Sequence, residues 1–155
     1  MRELKIRAKR NNDGEWVYGN SIVVCDDCCF INEKTECYTT KPYIFKDKTH
    51  FIELASVKCY KNPVCQFTGL YDKNDKEIYE GDIIRSFDSK NQEVIHFIKW
   101  QENMARFIAV FRSNSEYPIY MENTINQEWL DEFEKEVVGD IYNNPEFKIK
   151  YESRS

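Results

Sequence analysis

The chain has 155 residues, a net charge of −5, and 41% hydrophobic and 15% aromatic residues. That length suits one domain or two small units sharing a core, and the aromatic content excludes a disordered chain. The acidic balance weighs against a dedicated nucleic-acid binder, because phosphate backbones reward clustered Lys and Arg.

The opening, Met1 to Ala8, alternates charged and apolar residues, so no signal-peptide core is present in it. No run approaches the ~20 apolar residues of a membrane-spanning helix. The expected location is the cytoplasm.

Leu4, Ile6 and Ala8 alternate with Lys5, Arg7 and Lys9, the period of a half-buried strand. Asn11-Asn12-Asp13-Gly14 is a hairpin turn, because Asn, Asp and Gly tolerate positive φ. Glu15 to Tyr18 is the return strand. Ile22 to Cys25 and Cys28 to Ile31 are expected to pair across Asp26-Asp27. Tyr43 to Phe45 and Phe51 to Leu54 are further short strands.

Lys61-Asn62-Pro63 reads as a turn. Val64 to Phe67 and Glu77 to Tyr79 flank the polar turn Asp72 to Lys76, and Ile83 to Phe87 resumes a strand after Glu80-Gly81-Asp82. Val94, His96, Ile98 and Trp100 share one strand face; Gln101-Glu102-Asn103 turns the chain, and Phe107 to Phe111 returns. Trp129, Leu130, Phe133 and Val137 recur at helical spacing, which predicts one helix near 125–136. Thr124 and Gln127 are spaced as a capping box at its start. Val137-Val138 and Ile141-Tyr142 read as the closing strand. The tail at 149–155 is expected to fray.

Six cysteines stand at positions 25, 28, 29, 37, 59 and 65. In the cytosol they would be reduced. Cys25 and Cys28 have the spacing that grips zinc, but a zinc site usually wants a second close pair. Small buried thiols in a hairpin are the plainer reading of the Cys25, Cys28 and Cys29 cluster. We therefore expect no bound metal and no cofactor.

Three segments together resemble the YopX family of phage and prophage proteins. The first is Arg2 to Ala8 followed by Trp16-Val17-Tyr18-Gly19. The second, the strongest, runs from Gln66-Phe67-Thr68-Gly69-Leu70-Tyr71 through Glu80-Gly81-Asp82-Ile83-Ile84. The third is Val137-Val138-Gly139-Asp140-Ile141-Tyr142-Asn143-Asn144-Pro145-Glu146-Phe147. Lys9, Asn74-Asp75 and Asp140 depart from the family's usual residues. The resemblance implies a mainly β fold with a C-terminal SH3-like barrel, and carries over no catalytic residue. With the strand pattern it gives a hairpin region at 1–58, a barrel domain at 59–148 and one short helix before the closing strand.

No nucleophile elbow, Walker loop, zinc-protease helix or dinucleotide fingerprint is present. His96, on a strand face with Trp100, reads as a packed and hydrogen-bonded histidine. Glu80-Gly81-Asp82 reads as a structural turn, with Gly81 at positive φ and Asp82 bonding downstream amides. The expected function is therefore binding, most simply of a host or phage protein and without catalysis. The surface chosen for that partner is Asp72, Glu77, Tyr79, Glu80 and Asp82. Nucleic-acid binding through Lys5, Arg7 and Lys9 is the alternative, and a hydrolase-type enzyme using a pair such as Glu80 and Asp82 is the third reading.

Overall fold

In the computed structural model the described residues are 4–24, 28–32, 57–112, 120–132 and 134–147. The expected strands at 43–45 and 51–54, Phe133 and the tail lie outside them. The chain is mainly β, as expected. It divides into two units, Met1–Phe67 and Thr68–Ser155.

In the first unit, β1 (Ile6–Arg10), β2 (Trp16–Gly19), β3 (Ser21–Val24) and β4 (Cys28–Asn32) join the long strand β5 (Val57–Tyr71). Their order across the sheet is β2-β1-β5-β4-β3. The Asn11–Gly14 hairpin forms as expected, with Gly14 at φ 73°. Arg10 accepts the Gly14 amide on its carbonyl and binds Asp13 through its guanidinium. The expected β3–β4 pair also forms, with Val24 opposite Cys29. One face packs Ile6, Ala8, Val17, Cys29 and Ile31 into a core. The period-two spacing of these apolar residues directs them to that face.

Lys61-Asn62-Pro63 does not turn the chain; it lies inside β5. The reason is a register irregularity. Ala8 faces Val64, yet Arg10 faces Cys59, so several β5 residues bulge opposite one β1 residue. A proline, which lacks an N–H, fits such an interruption.

The second unit receives the end of β5, which pairs with β6 (Glu77–Tyr79). Its main sheet contains β7 (Asp82–Phe87), β8 (Glu93–Gln101), β9 (Arg106–Arg112), β10 (Tyr120–Thr124) and β11 (Glu136–Asp140). The order is β10-β9-β8-β7-β11, every described pair antiparallel. A four-strand meander is thus extended at its first strand by the last, which is consistent with the barrel topology expected. Between β8 and β9 a 3-10 turn, Glu102–Met104, ends at Ala105 with φ 48°. Ile78, Ile84, Ile98, Phe107, Ala109 and Leu130 form the core, with Leu70, Ile125, Trp129 and Val137 packed against it.

The helix α1 is only Gln127–Asp131. Its cap is Asn126, whose side chain accepts the Trp129 amide at 2.7 Å; Thr124 instead ends β10. Gln127 does not reach back to close a capping box. Its amide group accepts from the Tyr71 N–H and donates to the Tyr71 carbonyl, tying α1 to the end of β5. Val137, counted in the helical spacing, belongs to β11 opposite Ile84.

Candidate functional site

The five residues expected to face a partner are placed around two turns of the second unit. Asp72 is buried and caps its own turn. One carboxylate oxygen accepts the Asn74 amide at 2.8 Å and the Lys76 amide at 3.0 Å. The other accepts the Val137 amide at 2.9 Å, so the turn is held to β11. Asp75 takes the left-handed conformation, φ 60°, that a glycine would fill more easily. The Asp88 turn repeats this device: its carboxylate accepts the Lys90 and Gln92 amides, and Asn91 has φ 60°.

Asp82 is 1% exposed. Its carboxylate accepts the Tyr79 amide at 2.7 Å, an upstream partner. Tyr79 is buried as well, and its hydroxyl donates to Glu77 at 2.7 Å. Only Glu77 and Glu80 keep partly exposed side chains. Tyr79, Asp72 and Asp82 are buried and hydrogen-bonded within the second unit.

Gly81 has φ 83°, as the turn reading requires. Its N–H donates to Ile98 and its carbonyl accepts from Ile141. A Cβ there would stand 2.8 Å from the Tyr142 ring. The third family-like segment is a second knot. Asp140 accepts the Tyr142 and Asn143 amides at 2.9 and 2.8 Å, and Asn144 accepts the Asp140 amide. Asn144 lies so close to Gly139 that a Cβ would overlap its side-chain oxygen.

His96 is the one described histidine, and it is buried. Its Nε2 lies 2.8 Å from Ser86 Oγ. Phe111 and Trp129 stack around the ring at centroid distances of 5.0 and 5.2 Å, Trp129 edge-on. Nδ1 is buried without a hydrogen-bond partner. A proton on Nε2, donated to Ser86, leaves Nδ1 as a lone pair, which is cheaper to bury than an unpaired N–H. Lys135 closes the same box. Its ammonium lies 4.4 Å from the Trp129 ring centroid and donates to the Glu132 carbonyl. Burial lowers the Lys135 pKa, opposed by Glu132. Burial, then the Lys135 charge, pushes the His96 pKa down to about 4.

A Ser–His contact is half of a nucleophile–base arrangement. Here no carboxylate accepts from Nδ1 to orient the ring, and both partners are buried. The expectation of a packed, hydrogen-bonded histidine is met. Ser86 could have been found from its parity with Ile84 on β7. Nothing in the charged run Glu132 to Glu136 marks Lys135 as interior.

Lys5, Arg7 and Lys9 share a strand face, but Arg7 is buried. Its guanidinium carbon lies 4.3 Å from the Trp16 ring centroid, and Lys9 Nζ lies 4.8 Å from it. Tyr18, opposite Arg7, remains 48% exposed. Among the described residues of the second unit the most open apolar side chain is Met104, 59% exposed, at the β8–β9 turn. Trp100 near it is 36% exposed and packs its ring edge against Phe107 at 4.9 Å.

The fold and these sites define a two-unit, mainly β protein whose central acids and histidine are engaged in internal hydrogen bonds. The chain belongs to the YopX protein family, which it matches over residues 5–147. No curated protein matches it in sequence. Among solved structures it is similar to protein EF1440 from Enterococcus faecalis, at 20% identity and a TM-score of 0.52. That similarity covers 93% of this chain and 96% of the other, and concerns the fold alone. Among the described residues no helix is long and apolar enough to cross a membrane.

Proposed function

We propose that this YopX-family protein acts in phage or prophage biology by binding another protein, without performing chemistry. The observation behind this reading is the β8–β9 hairpin end, where Trp100 and Met104 are exposed beside polar Gln101, Glu102 and Arg106. An aromatic and a flexible thioether within a polar rim are residue types favoured in interface cores. Asp72, Asp82 and Tyr79 are already occupied inside the fold, so the proposed surface moves from the acidic turns to this hairpin end.

The test is affinity capture of the tagged full chain from phage-infected cells, with and without nuclease. A protein partner that survives nuclease and is lost from the Trp100→Ala/Met104→Ala variant supports the reading. Equal recovery by a folded variant removes this surface. The nucleic-acid reading draws on Lys9, Trp16 and Tyr18, an ammonium and two aromatic rings of the kind that hold single strands. Recovery of nucleic acid, abolished by Tyr18→Ala and Lys9→Ala, would favour it instead.

A further inference from the structure

The register of the first unit sets two cysteines opposite one another. On the antiparallel pair β4–β5, Cys29 is the Cα partner of Cys59. Residues directly opposed on antiparallel strands have Cα atoms about 4.5 or 5.5 Å apart, depending on the type of pair. Disulfides accept Cα separations of roughly 4.4–6.8 Å, and both values lie in that range; the Cβ atoms of opposed residues, about 4.5–5.5 Å apart, need draw together by only about 1 Å to bond. The register is pinned, because Cys29 and Ile31 are both fully buried in the core and a one-residue slip would turn them out. Neither neighbouring cysteine has such an opposite: Cys28 faces Tyr60 and Cys65 faces Arg7. Cys29 and Cys65 are reduced in the structure.

We infer that Cys29 and Cys59 are a redox pair that closes to a disulfide across β4 and β5 when the protein meets a low-molecular-weight disulfide. One cysteine thiolate attacks the small disulfide, forming a mixed disulfide and releasing one small thiol. The second cysteine attacks the mixed disulfide, closing the cross-strand bond and releasing the other small thiol. Two protein thiols are oxidised, one small disulfide is reduced to two thiols, and the two protons leave on those thiols. The burial of Cys29 makes access depend on local opening of β4, so closure is slow relative to an exposed thiol. The bond would close a loop of about 30 residues and restrict the unfolded chain accordingly.

The experiment incubates the reduced full chain with glutathione disulfide, blocks remaining thiols, and maps peptides by mass spectrometry without reduction. The expected product is an intact protein lighter by two hydrogens, with the Cys59 peptide linked to the one carrying Cys29. That peptide also carries Cys25 and Cys28, so C25S and C28S should keep the link and C29S should lose it. Oxidation should raise Tm by on the order of 5–10 °C, reversed by dithiothreitol. Persistent alkylation of Cys29 and Cys59, glutathione adducts without a crosslink, or a link from Cys59 to Cys28 would each overturn the inference. Fragmentation of the linked peptide between Cys28 and Cys29 locates the bond in the natural sequence, so the outcome does not depend on any variant folding.

Discussion

Acid should loosen the second unit through His96. In the folded protein its pKa is pushed from 6.5 to about 4, first by burial and then by Lys135. The groups that face the ring are Ser86 on β7, Phe111 on β9, Trp129 on α1 and Lys135 before β11. None supplies a negative charge to offset protonation. A folded pKa below the unfolded one means that the unfolded chain binds the extra proton between pH 6.5 and about 4. Stability therefore falls as pH drops through 6.5, and the loss is complete below about pH 4. The full effect is about 3 kcal/mol, of which about 2 kcal/mol is already lost at pH 5. Urea unfolding from pH 7.5 to 5, with Trp129 fluorescence as a local probe, measures it. His96→Phe, which removes the titrating group, should flatten the profile over that window. Parallel profiles for the two proteins, or an imidazole titration near 6.5 by NMR in the folded protein, would refute the reasoning.

Two other perturbations follow from the turns. Gly81→Val places a branched side chain at φ 83° and against Tyr142, and should cost about 1–3 kcal/mol by chemical denaturation. A cost under ~0.5 kcal/mol would show that the turn relaxes freely. Asp72→Ala strips the acceptor from three backbone amides and should cost about 2–4 kcal/mol, whereas Asp72→Asn, which keeps an acceptor oxygen, should cost less. Hydrogen exchange should then speed at Asn74, Lys76 and Val137 in the alanine variant, and unchanged exchange there would contradict the capping role.

Much of the fold was legible because alternation is a local signal. Ile6 and Ala8, or His96 and Ile98, face inward wherever they stand on a strand, and turn chemistry between strands fixes the hairpins. What escaped depends on distant partners. Tyr120–Thr124 carries no clear alternation and becomes a strand through its ladder with β9. The helical spacing of Trp129, Leu130 and Val137 is a real packing signal, but only the first two lie on the helix. All three meet the same core, but Val137 arrives there from β11. Lys61-Asn62-Pro63 has the local chemistry of a turn, yet the irregular register opposite β1 admits Pro63 into a strand.

The acidic residues carry the larger lesson about function. From spacing alone, Asp72 and Asp82 look equally fit for a solvated rim and for a turn cap. What separates the readings is whether backbone amides converge on them, and that depends on the chain's three-dimensional course. Asp72 reaches Val137, 65 residues away in sequence, so no local window could reveal its third bond. Yet part of the signal was present. Asp72-Lys73-Asn74-Asp75-Lys76 and Asp88-Ser89-Lys90-Asn91-Gln92 share an Asp at the first position and an Asp or Asn at the fourth. Asp accepts amides two and four residues on, and the fourth residue must tolerate positive φ, so this spacing is a physical requirement of the turn. The same capping logic at Asp140 explains why an acidic chain need not carry a catalytic acid: at these positions the carboxylate is what holds the backbone in its turn.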